Sequence, residues 1–166
     1  FAGIGETYAA IAGGLAGKGR ADVANLRARG TDPAALARVI AATEGVIDVT
    51  EGRISAMLMR EFAKADARFE RASFDIAIAG GVVSLTQTAP ATAPRMAGSL
   101  NLRTLAAETT MTFAAPRPEG WGAAPPEAAI RWTGPVHAPA RSLSIASLVN
   151  GLGARAIERE AARIEL

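Results

Sequence analysis

The spacing of the apolar residues changes once along this chain, near Phe69. Between Ile54 and Phe62 the larger apolar side chains recur every three or four positions, which is typical of a helix with one buried face. From Phe74 to Ile78 they instead alternate with small or polar residues, which is typical of a strand with one buried face. The change predicts two early helices followed by an antiparallel sheet.

Capping signals mark the two early helices. Thr31-Asp32-Pro33 supplies an N-cap and a first-turn proline, and apolar residues follow at helical spacing until Gly45. Thr50 can cap the second helix. Ahead of both, the weak alternation from Arg20 to Leu26 predicts a strand.

At least four antiparallel strands are expected between about Phe69 and Thr133. Gly80-Gly81 offers a tight turn between the first two, which form a hairpin. A second hairpin and one further strand follow, and Pro135 and Pro139 close the run. The expected strands are Phe74 to Ile78, Val82 to Gln87, Ser99 to Arg103, Thr109 to Ala114 and Ala129 to Thr133.

A last helix is expected after Ser142 or Ser144, either of which can cap it. Gly151 and Gly153 weaken its middle by roughly 1 kcal/mol each relative to alanine. The predicted fold is α+β, an antiparallel amphipathic β-sheet with two early helices and a C-terminal helix, forming one domain over residues 1–166. The apolar stripe of the last helix comprises Ile145, Leu148, Leu152, Ile157 and Ile164.

Composition narrows the function. The 166 residues are 49% hydrophobic, which describes one ordinary soluble domain, and the absence of cysteine excludes disulfide frameworks, thiol nucleophiles and cysteine-bound metals. The net charge is only +2 and no basic block stands out, so nucleic acid is not an expected partner. The apolar stretches are shorter than the roughly 18 residues that a membrane-spanning helix needs.

The familiar catalytic motifs fail when tested. Gly17-Lys18 resembles part of a phosphate-binding loop, but Ala12 stands where that loop needs glycine, and Gly19 where it needs a hydroxyl. His137, the one histidine, lies in a proline-flanked loop with no fixed carboxylate nearby, so it reads as a solvated residue. No hydrolase motif occurs. We therefore expect a protein that is not an enzyme and needs no cofactor or metal.

Four segments, taken in order, resemble the C-terminal region of the bacterial AsmA family of envelope proteins, and they span nearly the whole chain. Many family members carry an acid at the position of Ser144. The segments are GLAGKGRADVANLRARGTDPAALARVIAA, FDIAIAGGVVSL, GSLNLRTLAAETTMTF and IRWTGPVHAPARSLSIASLVNGLGARAIEREAARIE.

The resemblance implies a periplasmic location and an anchor in the inner membrane. Members of the family hold a large β-rich part in the periplasm by an N-terminal helix, form a long apolar groove, and are linked to phospholipid movement and outer-membrane assembly without being enzymes. Because this chain opens on Phe1 without a targeting signal, we expect it to be part of a longer protein whose anchor lies upstream.

The candidate site is the apolar face of the predicted sheet. A groove for phospholipid acyl chains needs strands that are apolar on one face, but the same pattern builds any half-buried sheet. Two hypotheses follow: a lipid-binding and transfer module, or a protein-interaction cap or scaffold that docks an envelope protein without contacting lipid. An open apolar trough would favour the first, and helices covering the whole sheet the second. The candidate lipid-binding residues are Phe74, Ile76, Ile78, Leu100, Leu102, Met111, Phe113, Ile130 and Trp132.

Overall fold

The computed structural model describes residues 6–44, 49–88, 94–122 and 124–164. Seven strands form one open sheet in chain order, and every neighbouring pair is antiparallel. The α+β prediction is confirmed. The elements are α1 (Tyr8–Gly14), β1 (Gly17–Ala28), α2 (Ala35–Ala42), α3 (Glu51–Phe62), β2 (Ala67–Ala79), β3 (Val82–Gln87), β4 (Arg95–Asn101), β5 (Ala106–Ala114), β6 (Glu127–Pro135), β7 (Ala140–Ser144) and α4 (Ala146–Ile164).

Strand pairing separates the sheet into an apolar and a polar face. Ile78 lies opposite Val83 on β3, and Val83 lies opposite Leu100 on β4. Because side chains alternate between faces along a strand, these residues share one surface, which we call the inner face. The opposite, outer face is polar and carries ion pairs such as Arg131 with Glu108 at 3.5 Å.

A helix layer covers one end of the inner face. The buried side chains of α2, α3 and α4 pack there against β2, β5 and β6, and the rings of Phe62 and Phe113 lie 4.6 Å apart. This burial of apolar surface is the main stabilising contribution to the domain. We call this covered end of the sheet the helix end. The opposite end, near Ile78 and Leu100, is the far end. The largest core residues include Leu36, Val39, Ile54, Leu58, Phe62, Met111, Phe113, Ile130, Ile145 and Leu148.

The predicted caps of the early helices need one correction. Asp32 does not cap α2 directly, because Ala34 is the N-cap residue and Asp32 instead accepts a hydrogen bond from the Ala34 N–H at 2.9 Å in the preceding turn. Thr50 occupies the N-cap position of α3, as predicted, but its side chain makes no capping hydrogen bond. Gly45, the expected end of α2, lies outside the described residues.

Both predicted hairpins are confirmed, and β3 has the predicted bounds. Strands β2, β4 and β5 are longer than expected, and Leu102 lies beyond the end of β4. The C-terminal cap prediction is wrong, since Ser142 and Ser144 belong to β7, a strand that alternation did not reveal. Helix α4 begins after them, at Ala146. The expected apolar stripe of α4 holds only in its first half, because Ile157 and Ile164 are exposed.

The sheet is rolled, and its two edges approach each other. Arg141 on β7 donates a hydrogen bond from Nη2 to the carbonyl oxygen of Gly30, two residues beyond β1, at 3.0 Å. In a flat sheet, β1 and β7 would stand six strand spacings apart, about 29 Å. Because Arg141 pairs in register with Trp132 and its guanidinium lies over that ring, it reaches across the inner face. The sheet therefore curves towards the inner face where Arg141 and the turn after β1 meet.

Candidate apolar-ligand site

The nine candidate residues divide according to the helix layer. Phe74, Met111, Phe113 and Ile130 are buried in the core beneath the helices. Trp132 is half-buried and packs against the edge of that core. The other four are half-buried and lie outside the core cluster; they are Ile76, Ile78, Leu100 and Leu102. The strand register brings the first three of these together on the inner face, while Leu102 follows β4 in the turn.

The uncovered part of the inner face forms an apolar surface that we call the trough. It consists of two rows of side chains that run across β2 to β6, and Thr109 is its one polar side chain. The row nearer the helices contains Ile76, Leu85, Gly98, Thr109 and Trp132, and the row nearer the far end contains Ile78, Val83, Leu100, Ala107 and Gly134. All ten residues are half-buried.

The middle of the trough carries small residues, so its surface there lies lower than at the two sides. A Cβ on Gly98 would lie 3.2 Å from both the Glu108 carbonyl oxygen and Thr109 Oγ1, which is closer than side chains normally approach. A larger residue at that position would have to displace the neighbouring strand by a few tenths of an ångström, and the small residue Ala107 lies in the next row. The large aliphatic side chains of β2 and β3 face Trp132 across this low middle.

Helix α1, which the sequence analysis did not predict, borders the far end. Its Ala12 is buried, and a Cβ on Gly81 would lie 3.1 Å from the Ala12 carbonyl oxygen. Tyr8 donates a hydrogen bond from its hydroxyl to the Leu102 carbonyl oxygen at 3.3 Å. This helix was missed because alanine and glycine make up most of its seven residues, which leaves no apolar period to read. The trough thus has a helix at each end.

One cation stands at the β7 edge of the trough. The Arg141 guanidinium carbon lies 5.8 Å from the centre of the Trp132 ring. The side chain is exposed, yet desolvation by the surrounding protein lowers the pKa of its guanidinium. Sequence reasoning overlooked Arg141, although Arg141 and Leu143 alternate with Ser142 and so share a face. The trough therefore combines an apolar floor with a single positive charge at its rim.

A second apolar surface lies on the outside of α4. A groove of about 500 Å³ runs between Val49 and the second half of the helix. Ile157 and Ile164 contribute to it and are 72% and 73% exposed. Exposed apolar grooves of this kind often mark contacts with other proteins.

No candidate metal site is found in the part of the chain that the structure describes. No group of three or more acidic or histidine side chains is placed to hold a metal ion among these residues. His137 is exposed in the turn between β6 and β7. Gly17-Lys18 opens β1 rather than a loop before a helix, so it lacks the geometry of a phosphate-binding loop. None of the described helices is both long and apolar enough to cross a membrane.

Comparison of the chain with protein-family models, with curated proteins and with solved structures finds no match. The resemblance to the AsmA family stays a prediction that depends on the quoted segments. The functional proposal therefore depends on the trough.

Proposed function

We propose that this domain binds phospholipid acyl chains on the trough and, as a non-enzymatic module of an AsmA-like protein, contributes to phospholipid transport and outer-membrane assembly. The observation that carries the proposal is the partial cover of the inner face. The helix layer buries Phe74, Met111 and Ile130, while Ile76, Ile78 and the rest of the trough remain accessible.

The composition of the trough explains why an acyl chain would gain free energy by binding there. A monomeric protein rarely leaves a continuous apolar surface uncovered, because each methylene removed from water contributes about 0.8 kcal/mol. An acyl chain lying on Leu85, Leu100 and Trp132 gains this contribution without requiring any hydrogen bond from the floor. The sheet also curves towards this face at its helix end, where Arg141 and the turn after β1 approach each other.

Location belongs to the same proposal. The resemblance to AsmA proteins predicts that the domain works in the periplasm and is held at the inner membrane by a segment upstream of this chain. A lipid path between two membranes needs a continuous apolar surface, and the trough would form one stretch of it. An anchor outside this chain would position that stretch without taking part in lipid contact.

A charge placed on the trough tests the proposal. We expect Ile76→Asp to reduce the phospholipid bound while the domain still melts cooperatively, because the half-buried carboxylate can stay hydrated when no lipid is present. Native mass spectrometry of protein purified without detergent measures the lipid, and thermal unfolding measures the fold. Ala77→Asp is the matched control, since Ala77 is the next residue on β2 and belongs to the outer face.

A second control calibrates the fold. Met111→Asp places the same carboxylate in the core, where an unpaired charge costs several kcal/mol, comparable with the stability of a whole domain. If Ile76→Asp abolishes cooperative melting as Met111→Asp does, Ile76 belongs to the core and the lipid proposal fails. Unchanged phospholipid in Ile76→Asp would contradict it as well.

The groove on α4 favours a second candidate function, the docking of an envelope protein partner without lipid contact. Ile157 and Ile164 are exposed in that groove, far in sequence from the trough. Under this alternative, Ile157→Asp abolishes biological function in a complementation assay while Ile76→Asp leaves it intact. The lipid proposal predicts that Ile76→Asp is the harmful change.

A further inference from the structure

Arg141 differs from the other charged residues of the sheet in the face it occupies. Among the described inner-face residues of β3 to β7, Arg141 is the one charged side chain. The ion pairs formed by the sheet arginines Arg20 and Arg131 lie on the outer face, with Asp75 and Glu108. The hydrogen bond from Arg141 to the Gly30 carbonyl oxygen needs one donor and does not require a positive charge at this position.

Within the described part of the chain, one donor of Arg141 has a hydrogen-bond partner. The guanidinium presents five N–H donors, and one of them is directed at the Gly30 carbonyl oxygen at 3.0 Å. Within the described parts of the chain, no carboxylate lies within ion-pair distance of it. The ring of Trp132 holds the guanidinium over the end of the row that contains Ile76 and Leu85.

We infer that Arg141 binds the phosphate of a lipid headgroup whose acyl chain lies on the trough, and that the site prefers a net-anionic phospholipid to a zwitterionic one. This inference rests on the proposed function. The planar fork of a guanidinium matches two oxygens of a phosphate, and such charged pairs are stronger than neutral hydrogen bonds. The contact with Gly30 uses a separate donor and is retained when lipid binds.

Charge complementarity selects the headgroup. A zwitterionic headgroup brings its own cation close to its phosphate, and the described trough offers no carboxylate to receive that cation. A net-anionic headgroup needs only the guanidinium. The exposure of Arg141 keeps the phosphate at the water boundary, while Trp132 marks the start of the apolar path for the chain.

The test compares Arg141→Gln with Arg131→Gln. Arg131 precedes Trp132 on the neighbouring strand and lies on the outer face, so its substitution removes the same charge from the other side of the sheet. Binding of monomeric short-chain phosphatidylglycerol, short-chain phosphatidylcholine and inorganic phosphate is measured by calorimetry for each protein. We expect Arg141→Gln to lose about tenfold in affinity for phosphatidylglycerol and less for phosphatidylcholine, so that the preference for phosphatidylglycerol disappears, while Arg131→Gln matches the original protein in both.

The other outcomes distinguish a failure of the inference from a failure of the proposed function. Equal affinity of the original protein and Arg141→Gln for phosphatidylglycerol overturns the inference and leaves the proposed function standing. Inorganic phosphate bound as tightly as the lipid also overturns it, because the site then serves a free ion. An original protein that binds neither lipid contradicts the proposed function and this inference together.

A conservative variant guards against misfolding. If Arg141→Gln fails to melt cooperatively, Arg141→Lys retains the positive charge and loses the fork. Weaker binding of phosphatidylglycerol by Arg141→Lys, with its preference over phosphatidylcholine retained, supports the inference, because the charge remains and the fork is lost. An equal loss for both lipids overturns it, because Arg141 would then be acting only through the fold.

Discussion

Gly151 is required by tertiary packing, although helix propensity disfavours glycine at this position. It lies in the middle of α4, where alanine normally stabilises a helix by roughly 1 kcal/mol. A Cβ there would lie 2.1 Å from Cζ2 of Trp121, whose indole N–H donates to the Ala124 carbonyl oxygen at 2.7 Å. The helix is weakened locally so that the buried indole can pack directly on its backbone.

Alanine substitutions at the two central glycines of α4 should therefore act in opposite directions. Gly151→Ala is expected to destabilise the domain by about 1–3 kcal/mol, because the methyl group displaces Trp121. Gly153→Ala is expected to stabilise it by about 0.5–1 kcal/mol, since no described residue outside the helix's own backbone lies within 4 Å of its Cβ position. Urea unfolding measures both. A stabilising Gly151→Ala would mean that Trp121 does not pack on α4 in solution.

His137 is the residue that chemistry would single out first, and we expect it to be dispensable. It is exposed between β6 and β7, and no hydrogen bond of its side chain is recorded among the described residues. Substitution by alanine should change the free energy of unfolding by less than about 0.5 kcal/mol and leave biological function intact. Loss of complementation with unchanged stability would show that an imidazole is needed and would reopen the case for an enzyme.

At the scale of elements, Asp66 joins the end of β1 to the start of β2. Its Oδ1 accepts from the Gly30 N–H at 2.7 Å, and its Oδ2 lies 2.5 Å from Arg27 Nη2. The Gly30 hydrogen bond and then the Arg27 guanidinium hold the pKa of this carboxyl below its usual range. A carboxyl with a lowered pKa stabilises the fold above its unfolded-state pKa of about 3.9, and the stabilisation is lost as the pH falls through the folded-state value.

Asp66→Asn should therefore have a pH-dependent effect. At pH 7 the variant is expected to unfold at a lower urea concentration than the original protein, and the two midpoints should converge as the pH falls below about 4. Asp75→Asn is the matched control, because Asp75 pairs with Arg20 at 3.2 Å on the exposed outer face, where such pairs contribute little. A constant difference between Asp66→Asn and the original protein at all pH values would contradict the assignment.

The elements divide into those that the sequence predicts and those it does not. The β2–β3 hairpin was predictable because alternating side chains flank Gly80-Gly81, and both glycines adopt positive φ in the turn. Strand β7 was missed because Leu143 is its one large apolar residue, too few to establish alternation. A short element without apolar periodicity cannot be predicted from its own sequence. Its secondary structure depends on the strands with which it pairs.

At the scale of the whole molecule, alternation assigns residues to a face but does not say what covers that face. Phe74 and Ile76 belong to the same pattern on the same strand, yet one is buried under helices and the other lies in the trough. The boundary is set by where α2, α3 and α4 pack, which depends on long-range contacts. The contact between Arg141 and Gly30 joins positions 111 residues apart, and no local sequence pattern predicts it.

The rolled shape of the sheet gives the last prediction. Because the chain has no cysteine, spin labels can be placed specifically with the double substitution Arg29→Cys and Ser142→Cys, next to the two residues that meet. The distance between the labels, measured by electron paramagnetic resonance, should be far below the roughly 29 Å that separates the edges of a flat seven-stranded sheet. Adding Arg141→Gln to the pair should broaden the distance distribution, because the bond to Gly30 is lost. A distance near that of the flat sheet would mean that the apolar face is open on both sides, and the trough would then lack the curvature on which the proposed lipid path depends.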